Sequence, residues 1–427
     1  MRLYNNSVKI MAIITINPDK TISIDGKKTF PVKMTSICST YSGQIRTCQE
    51  NIDINNNALY TNLPGDTLFQ TTLRQQLVEN NMFFHKKAYQ SSEPDADGLL
   101  FYWQPDEPTV GVDNYPITNT MTEAEILAIL LSDYNRKNRD DPNHPVVLNH
   151  WTNMTKWLPY ADIMAWDTYT FLIYQFKPWV SWQREDSIYA WEMQSWDAYF
   201  QGTELNQINK PVWTYIQAMG LDDLTWGGQA LTPQEARCNT YTAITLDVKG
   251  IMFFAYLAMG DWTHAETVTG LYANLSLATY YNQLMGELRI FNDILVLPTI
   301  DYHWTYHNST SVLFSKILTK TLTRWNKLQT NFNYILKQNG NTLYLIVVNK
   351  DTRPISDVGI TIQGLTGSMT ATTIGLSEAG SIPGRTLPVT NGSFTDSFDG
   401  LAVHIYQIEE EICPQSLCDF TIIQNKI

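Results

Sequence analysis

Four acidic residues that follow apolar runs of this sequence could do acid–base chemistry in pairs. The run LLFYW leads through a proline-bracketed turn into Asp106 and Glu107. An apolar, aromatic neighbourhood raises the pKa of a carboxyl group, so we predict Glu107 as a proton donor and Asp106 as a turn residue. Asp167 is the predicted partner and Asp261 the second choice, although a structural role for Asp167 stays open. Hydrolysis of a glycosidic bond needs two such groups, one as acid and one as nucleophile or base.

Other polar and aromatic side chains follow the same kind of run and could bind a sugar. Amides, imidazoles and carboxylates hydrogen-bond to hydroxyl groups, and indole rings stack on the C–H faces of pyranoses. The chain has 13 Trp and 23 Tyr, enough to line a site as well as a core. Strand-end histidines and loop tryptophans can equally be structural. The predicted substrate-binding residues are His85, Trp103, Asn149, His150, Tyr169, Trp182, Gln217, Trp226, Tyr256 and Asp261.

Eight short apolar runs must position these residues, and helical patterns or loops separate them. Thr122 and Glu125 have the spacing of a capping box, and Pro233 occupies the first position of another helix. Alternating strands and helices predict a parallel sheet of the α/β class, and eight units in about 260 residues predict a (β/α)8 TIM barrel. The predicted barrel strands are 30–37, 58–61, 82–84, 99–103, 146–148, 161–166, 212–216 and 251–256.

An open, doubly wound sheet is the alternative fold to the barrel. The sequence contains no G-x-G-x-x-G or Walker motif, so nothing indicates the nucleotide site that such a sheet often carries. We therefore favour the barrel.

The segments before and after the barrel show strand patterns without intervening helices. Alternating residues and an Asp25-Gly26 turn predict an N-terminal β-hairpin. Beyond the barrel, strand-like runs are separated by Gly, Asn and Ser turns, which predicts a small antiparallel β-sandwich. Its predicted strands are 334–336, 342–348, 358–362, 369–373 and 401–406. The predicted domains are a hairpin at 1–29, the barrel at 30–293, the sandwich at 294–410 and a tail at 411–427.

Composition narrows the classes of partner. A net charge of −13 disfavours nucleic acid, whose phosphates require clustered Lys and Arg. No apolar run approaches the roughly 18 residues that span a bilayer, and no signal peptide is evident. The five cysteines lack metal-ligand spacing, so we predict no metal and no cofactor. The predicted partner is a carbohydrate; localisation and oligomeric state stay open.

Several motifs resemble a family of glycoside hydrolases in the same order along the chain. The segment TISIDGKKTFPVKM resembles the family's v-d-G-k-p-f-f-P opening, and LLFYWQPDEP resembles W-Y-x-x-D-E-P. The segments DPNHPVVLNHW, ADIMAWDTY, KPVWTYIQAMG, TPQEARCNTYTAI and GIMFFAY match later motifs, so the resemblance covers most of residues 20–260. It implies a TIM-barrel protein distantly similar to the clan A glycoside hydrolases, with a C-terminal β-sandwich and with Glu107 as acid/base.

Two positions depart from the clan A pattern. Asp106 replaces the Asn that contacts the 2-hydroxyl of the sugar, and the seventh strand ends in Gln217 instead of the nucleophilic Glu. Either another acid (Asp167 or Asp261) serves, the reaction inverts, or the barrel only binds. The leading hypothesis is a hydrolase of poly- or oligosaccharides. The alternative is a non-catalytic carbohydrate-binding or structural surface protein on a degenerate barrel.

Overall fold

The computed structural model of the protein divides into two compact units. The described residues are 12–37, 47–62, 67–88, 98–105, 108, 121–150, 154–166, 209–220, 230–256, 270–301, 305–306, 314–315, 332–362, 365–376 and 383–409. The first unit takes those in Met1–Thr168, Ile208–Tyr215 and Lys249–Asn282, and the second takes those in Ile216–Val248 and Gln283–Ile427.

A small antiparallel sheet precedes the barrel. Its strands β1 (Ile14–Ile16), β2 (Ile22–Ile24) and β3 (Lys27–Thr29) pair in sequence order. Between β2 and β3, Asp25 and Gly26 have φ angles of +50° and +79°. This left-handed conformation is what a two-residue hairpin turn requires, which explains the Asp-Gly pair.

Eight parallel strands form a closed barrel. Each of the eight predicted runs becomes one of these strands, so the predicted (β/α)8 barrel is confirmed. The ring closes where Ile251 of the last strand pairs with Val32 of the first. The strands are β4 (Val32–Met34), β5 (Tyr60–Asn62), β6 (Phe83–Lys87), β7 (Leu99–Trp103), β8 (Val146–His150), β9 (Ile163–Trp166), β10 (Val212–Gln217) and β11 (Ile251–Phe254).

Helices follow the barrel strands, and the predicted capping box of Thr122 and Glu125 is present. Thr122 accepts a hydrogen bond from the Glu125 amide while the Glu125 carboxylate accepts one from the Thr122 amide. Thr232 and Glu235 form the same reciprocal pair, with Pro233 directly after the cap. The helices are α1 (Cys48–Ile54), α2 (Thr67–Glu79), α3 (Glu123–Asp140), α4 (Met154–Trp157), α5 (Pro233–Thr245), α6 (Leu275–Ile290) and α7 (Asn292–Leu295).

An antiparallel sheet of eight strands lies in the second unit, in the order β12-β15-β16-β21-β18-β19-β20-β17. The five predicted strands are present, which confirms the antiparallel domain. The sheet is continuous and curls upon itself, because Phe332 near one edge packs 5.0 Å from Phe398 near the other. Its strands are β12 (Thr299–Asp301), β15 (Phe332–Asn339), β16 (Thr342–Asn349), β17 (Ile355–Thr361), β18 (Ser368–Ile374), β19 (Thr386–Thr390), β20 (Ser393–Phe398) and β21 (Val403–Glu409); β13 (Thr305–Tyr306) and β14 (Phe314–Ser315) pair separately.

Helix α5 packs on strands β15, β16 and β21 of this curled sheet. Arg237 of α5 is fully buried and donates two hydrogen bonds to the Glu287 carboxylate, at 3.1 and 2.8 Å, and a third to the Val403 carbonyl. Glu287 also accepts from the Leu376 amide. These bonds satisfy a charged pair that would otherwise be costly to bury.

None of the helices in the described part of the chain is both long enough and apolar enough to span a membrane.

Candidate active site at the barrel strand ends

Strand β7 positions the aromatic residue at the centre of the candidate site. All five residues of Leu99–Trp103 are buried, and their side chains alternate in direction as a strand requires. Phe101 packs against Tyr60 inside the barrel, whereas Tyr102 points outward and donates to Asp141 at 2.8 Å. Trp103 therefore points inward at the carboxyl end of its strand, which is where TIM barrels place their active sites.

Around Trp103, side chains from three other strands form what we call the inner wall: Lys33, His85, Trp103 and Tyr215. The His85 ring lies 4.9 Å from the Trp103 ring, and the Tyr215 ring lies 6.2 Å from it. The Lys33 ammonium nitrogen sits 4.2 Å from the Trp103 ring centroid, a cation–π distance. The wall thus offers an indole face, an imidazole, a phenol and a lysine amine.

Lys33 is the residue that sequence reasoning missed. Its side chain is 1% exposed, and its Nζ donates a hydrogen bond of 2.9 Å to the Tyr215 hydroxyl. The available signal was a charged residue between two buried apolar neighbours of β4, Val32 and Met34, although this position alone does not show that its side chain points into the barrel.

A layer of large rings closes the barrel beneath this wall. The rings of Tyr60, Phe101 and Trp213 come from β5, β7 and β10 and contact each other at 4.8 to 6.2 Å. Complete burial raises the pKa of Tyr60 well above its ordinary value, so its phenol stays neutral. Gly250 permits the packing, because a Cβ there would approach Trp213 to 2.9 Å. This layer is a packed core and not a channel.

Two predicted amide ligands lie at or next to the carboxyl ends of their strands. Asn149 on β8 is fully buried and pairs in register with Ala165 of β9. Gln217 is the last residue of β10 and is also buried. Each carries a donor and an acceptor, the combination that suits a sugar hydroxyl.

His150 and Tyr256 contact residues that do not belong to the inner wall. The His150 ring stacks on Trp157 of α4 at 4.5 Å, and Tyr256 donates from its hydroxyl to the Asn51 amide oxygen of α1 at 3.1 Å. The Tyr256 ring also packs edge-on against Tyr272. The structure does not bring either residue against Trp103, and their substrate-binding roles stay predictions.

Gln104 fastens the end of β7 just before the D-E-P motif. Its side-chain amide donates to the carbonyls of Leu130 and Tyr160, both at 3.1 Å. These bonds tie the strand end to α3 and to the 3-10 turn at Leu158–Tyr160. The following residue, Pro105, is buried. Gln104 thus anchors the carboxyl end of β7.

Six predicted site residues lie outside the described residues: Glu107, Asp167, Tyr169, Trp182, Trp226 and Asp261. The eight barrel strands themselves contain no Asp or Glu. Any carboxyl chemistry of the barrel must therefore come from segments that follow the strands. Within the described ranges, no three His, Cys, Asp or Glu side chains cluster in a way that could hold a metal ion.

Solved structures share this architecture. A glycoside hydrolase family 5 protein from Bacteroides vulgatus ATCC 8482 aligns with a TM-score of 0.53 and 9% identity over 94% of this chain and 94% of that one. An α-amylase from Geobacillus thermoleovorans, complexed with acarbose, aligns with a TM-score of 0.50 and 9% identity over 90% and 100% of the chains. A GH30 endoxylanase from Clostridium papyrosolvens C71 has a TM-score of 0.45 and 12% identity over 90% and 96%.

No protein-family model matches the sequence, and a search of curated proteins gives no match either. At about 10% identity the structural likeness shows a shared fold. The chain therefore has the architecture of a TIM barrel with a C-terminal antiparallel sheet domain.

Proposed function

We propose that this protein hydrolyses O-glycosidic bonds in a poly- or oligosaccharide. The observation that carries the proposal is the inner wall, in which Lys33, His85, Trp103 and Tyr215 converge from four strands of a glycosidase-like barrel. An indole face with hydrogen-bonding groups around it suits a pyranose ring, whose C–H faces are apolar and whose edges carry hydroxyls.

Glu107 is the proposed general acid/base. It lies in sequence three residues after Gln104, whose side chain anchors the end of β7. In its protonated form it would donate to the leaving glycosidic oxygen. Asp167, which follows β9 in sequence, is the proposed second carboxylate, acting as nucleophile or as base toward water.

Substrate binding is proposed for the remaining predicted residues. Trp103 would stack on the sugar next to the scissile bond, with His85, Asn149 and Gln217 hydrogen-bonding to its hydroxyls. His150 at the end of β8 and residues from the segments that follow the strands would complete the cleft, the latter being Tyr169, Trp182, Trp226, Tyr256 and Asp261.

The test is hydrolysis of a panel of plant, bacterial and storage polysaccharides, comparing Glu107→Gln with wild type. We expect loss of turnover by about 100-fold or more with binding almost unchanged, because the substitution removes only the transferable proton. Exposed Glu79→Gln is the matched control and should behave as wild type. Unchanged turnover in Glu107→Gln would contradict the assignment.

One feature favours a binding protein as the second candidate. The seventh barrel strand ends in Gln217, whose amide cannot serve as nucleophile or base. If wild type binds a glycan of the panel but releases no product from it, the non-catalytic carbohydrate-binding function replaces hydrolysis.

A further inference from the structure

Two Asn-Gly pairs occur in the sequence, and both lie at two-residue hairpin turns of the curled sheet. Asn339-Gly340 begins the turn between β15 and β16, and Asn391-Gly392 forms the turn between β19 and β20. An asparagine before glycine is chemically labile, because the glycine has no side chain to hinder attack of its amide nitrogen on the neighbouring side-chain carbonyl. Both asparagines are exposed to water. The sequence alone therefore does not tell which of them reacts.

Three hydrogen bonds to the surrounding backbone hold the Asn391-Gly392 turn. The Asn391 amide donates to the Gly367 carbonyl at 2.8 Å, and the Gly367 amide donates to the Asn391 side-chain oxygen at 3.1 Å. The Gly392 carbonyl accepts from the Ile362 amide at 2.8 Å. A Cβ on Gly392 would lie 2.1 Å from the Ile362 carbonyl oxygen, so the turn packs directly on neighbouring backbone. Rearrangement of this turn would break these bonds.

The Asn339-Gly340 turn is held less firmly. The Asn339 side chain makes no hydrogen bond to any residue that the structure describes, and no described atom lies within 4 Å of the place that a Cβ on Gly340 would take. Gln338 Nε2 donates to the Gly340 carbonyl at 2.9 Å, a bond that does not involve the Asn339 amide group. The ladder ends with the pair of Asn339 and Thr342, and the last pair of a hairpin opens locally at low cost.

We propose that Asn339 is the site at which the folded protein deamidates, and that the turn at Asn391 is protected. The Gly340 amide nitrogen attacks Asn339 Cγ, the Cγ–Nδ2 bond breaks, and Nδ2 leaves as ammonia with the proton of the Gly340 amide. Water then opens the resulting succinimide at either carbonyl, which leaves aspartate or isoaspartate at position 339. Both products add one negative charge to the hairpin tip, and isoaspartate also inserts a methylene group into the backbone. The reaction needs only water and does not depend on the proposed function.

Peptide mapping by mass spectrometry tests the proposal on the full chain incubated in mildly alkaline buffer. We expect Asn339 to lose its amide at least about tenfold faster than Asn391, because the Asn391 turn must first break hydrogen bonds. The two sites should react at similar rates in guanidinium chloride, where only the shared Asn-Gly sequence remains. Equal rates in the folded protein, or faster loss at Asn391, overturn the proposal. An Asn339 amide that survives in the folded protein but is lost in the denatured one also overturns it.

Methyl transfer by an isoaspartyl methyltransferase gives an independent readout of the product. Asn339→Gln should remove most of the methyl acceptance that wild type acquires during incubation, since a glutamine would have to close a larger ring. Asn341→Gln is the matched control, because Asn341 is exposed in the same turn but precedes Thr342, and it should keep the wild-type level. Full methyl acceptance in Asn339→Gln, or its loss in Asn341→Gln, contradicts the assignment of the site.

Discussion

Asp396 of the curled sheet accepts hydrogen bonds from three different residues, and its removal should cost the protein much of its stability. Arg385 donates two bonds of 2.6 and 2.5 Å to it, the Tyr406 hydroxyl donates at 2.6 Å, and the Ser397 amide donates at 2.8 Å. His404 Nδ1 lies 3.0 Å from the same carboxylate. The Asp396 side chain is 3% exposed.

The magnitude follows from these contacts. Breaking a fully buried ion pair costs about 3 to 5 kcal/mol, and the Arg385 side chain is 29% exposed, so Asp396→Asn should cost about 3 kcal/mol of unfolding free energy near neutral pH. Urea denaturation measures it. Asp357→Asn is the matched control, since Asp357 is exposed in the same sheet and its φ of +56° suits Asn.

The pH dependence has a definite sign. Burial raises the pKa of Asp396, but hydrogen bonds from His404, Arg385 and Tyr406 outweigh burial and hold the pKa well below its ordinary value. The carboxylate's contribution is therefore complete above about pH 5 and is lost as pH falls below the ordinary Asp pKa of about 4. The difference between wild type and Asp396→Asn should be constant from pH 8 to 5 and shrink below that. A loss under 1 kcal/mol, or a difference that grows on acidification, would refute this account.

Three further predictions concern the barrel. Gly250→Ala should lower the unfolding free energy by about 1 to 3 kcal/mol in urea denaturation, because the new Cβ would lie 2.9 Å from the packed Trp213 ring; an unchanged midpoint would contradict it. Burial lowers the pKa of Lys137 to about 8, so unfolding takes up a proton between about pH 8 and 10.5, and wild type should gain stability over that range relative to Lys137→Met. Trp103→Ala should weaken glycan binding at least tenfold by calorimetry, whereas Trp103→Phe should keep most of it, since a ring against His85 remains; equal loss in both would argue against stacking.

Local signals in the sequence predict much of the fold. Leu99–Trp103 is a strand with the predicted bounds because five consecutive bulky residues are buried in a parallel sheet. The Thr122 cap forms as predicted because a capping box involves only residues three apart. Strands β19 and β20 of the sheet were not predicted. In β20, SFTDSF, the inward positions include Asp396, so the apolar alternation that marks a strand is interrupted.

The site is less predictable because its contacts join distant parts of the chain. Lys33 and Tyr215 are 182 residues apart, and nothing in either segment indicates the other. Trp103 and His85 were predicted because each lies in or next to an apolar run. His150 follows the same rule, yet its ring packs on Trp157, since strand position alone does not tell the inner face from the outer one.

The buried Arg237–Glu287 pair has a consequence for how such chains can be recombined. Helix α5 lies between barrel strands β10 and β11 in sequence, but its side chains are buried against the curled sheet, and Arg237 also bonds the Val403 carbonyl. Glu287 approaches Gly375 so closely that a Cβ there would lie 2.5 Å from its carboxylate oxygen. A gene fusion that exchanges the sheet but keeps the barrel, and with it α5, would leave the buried Arg237 guanidinium without its hydrogen bond to the Val403 carbonyl. The sheet should therefore be exchanged together with α5 and not as a separate module.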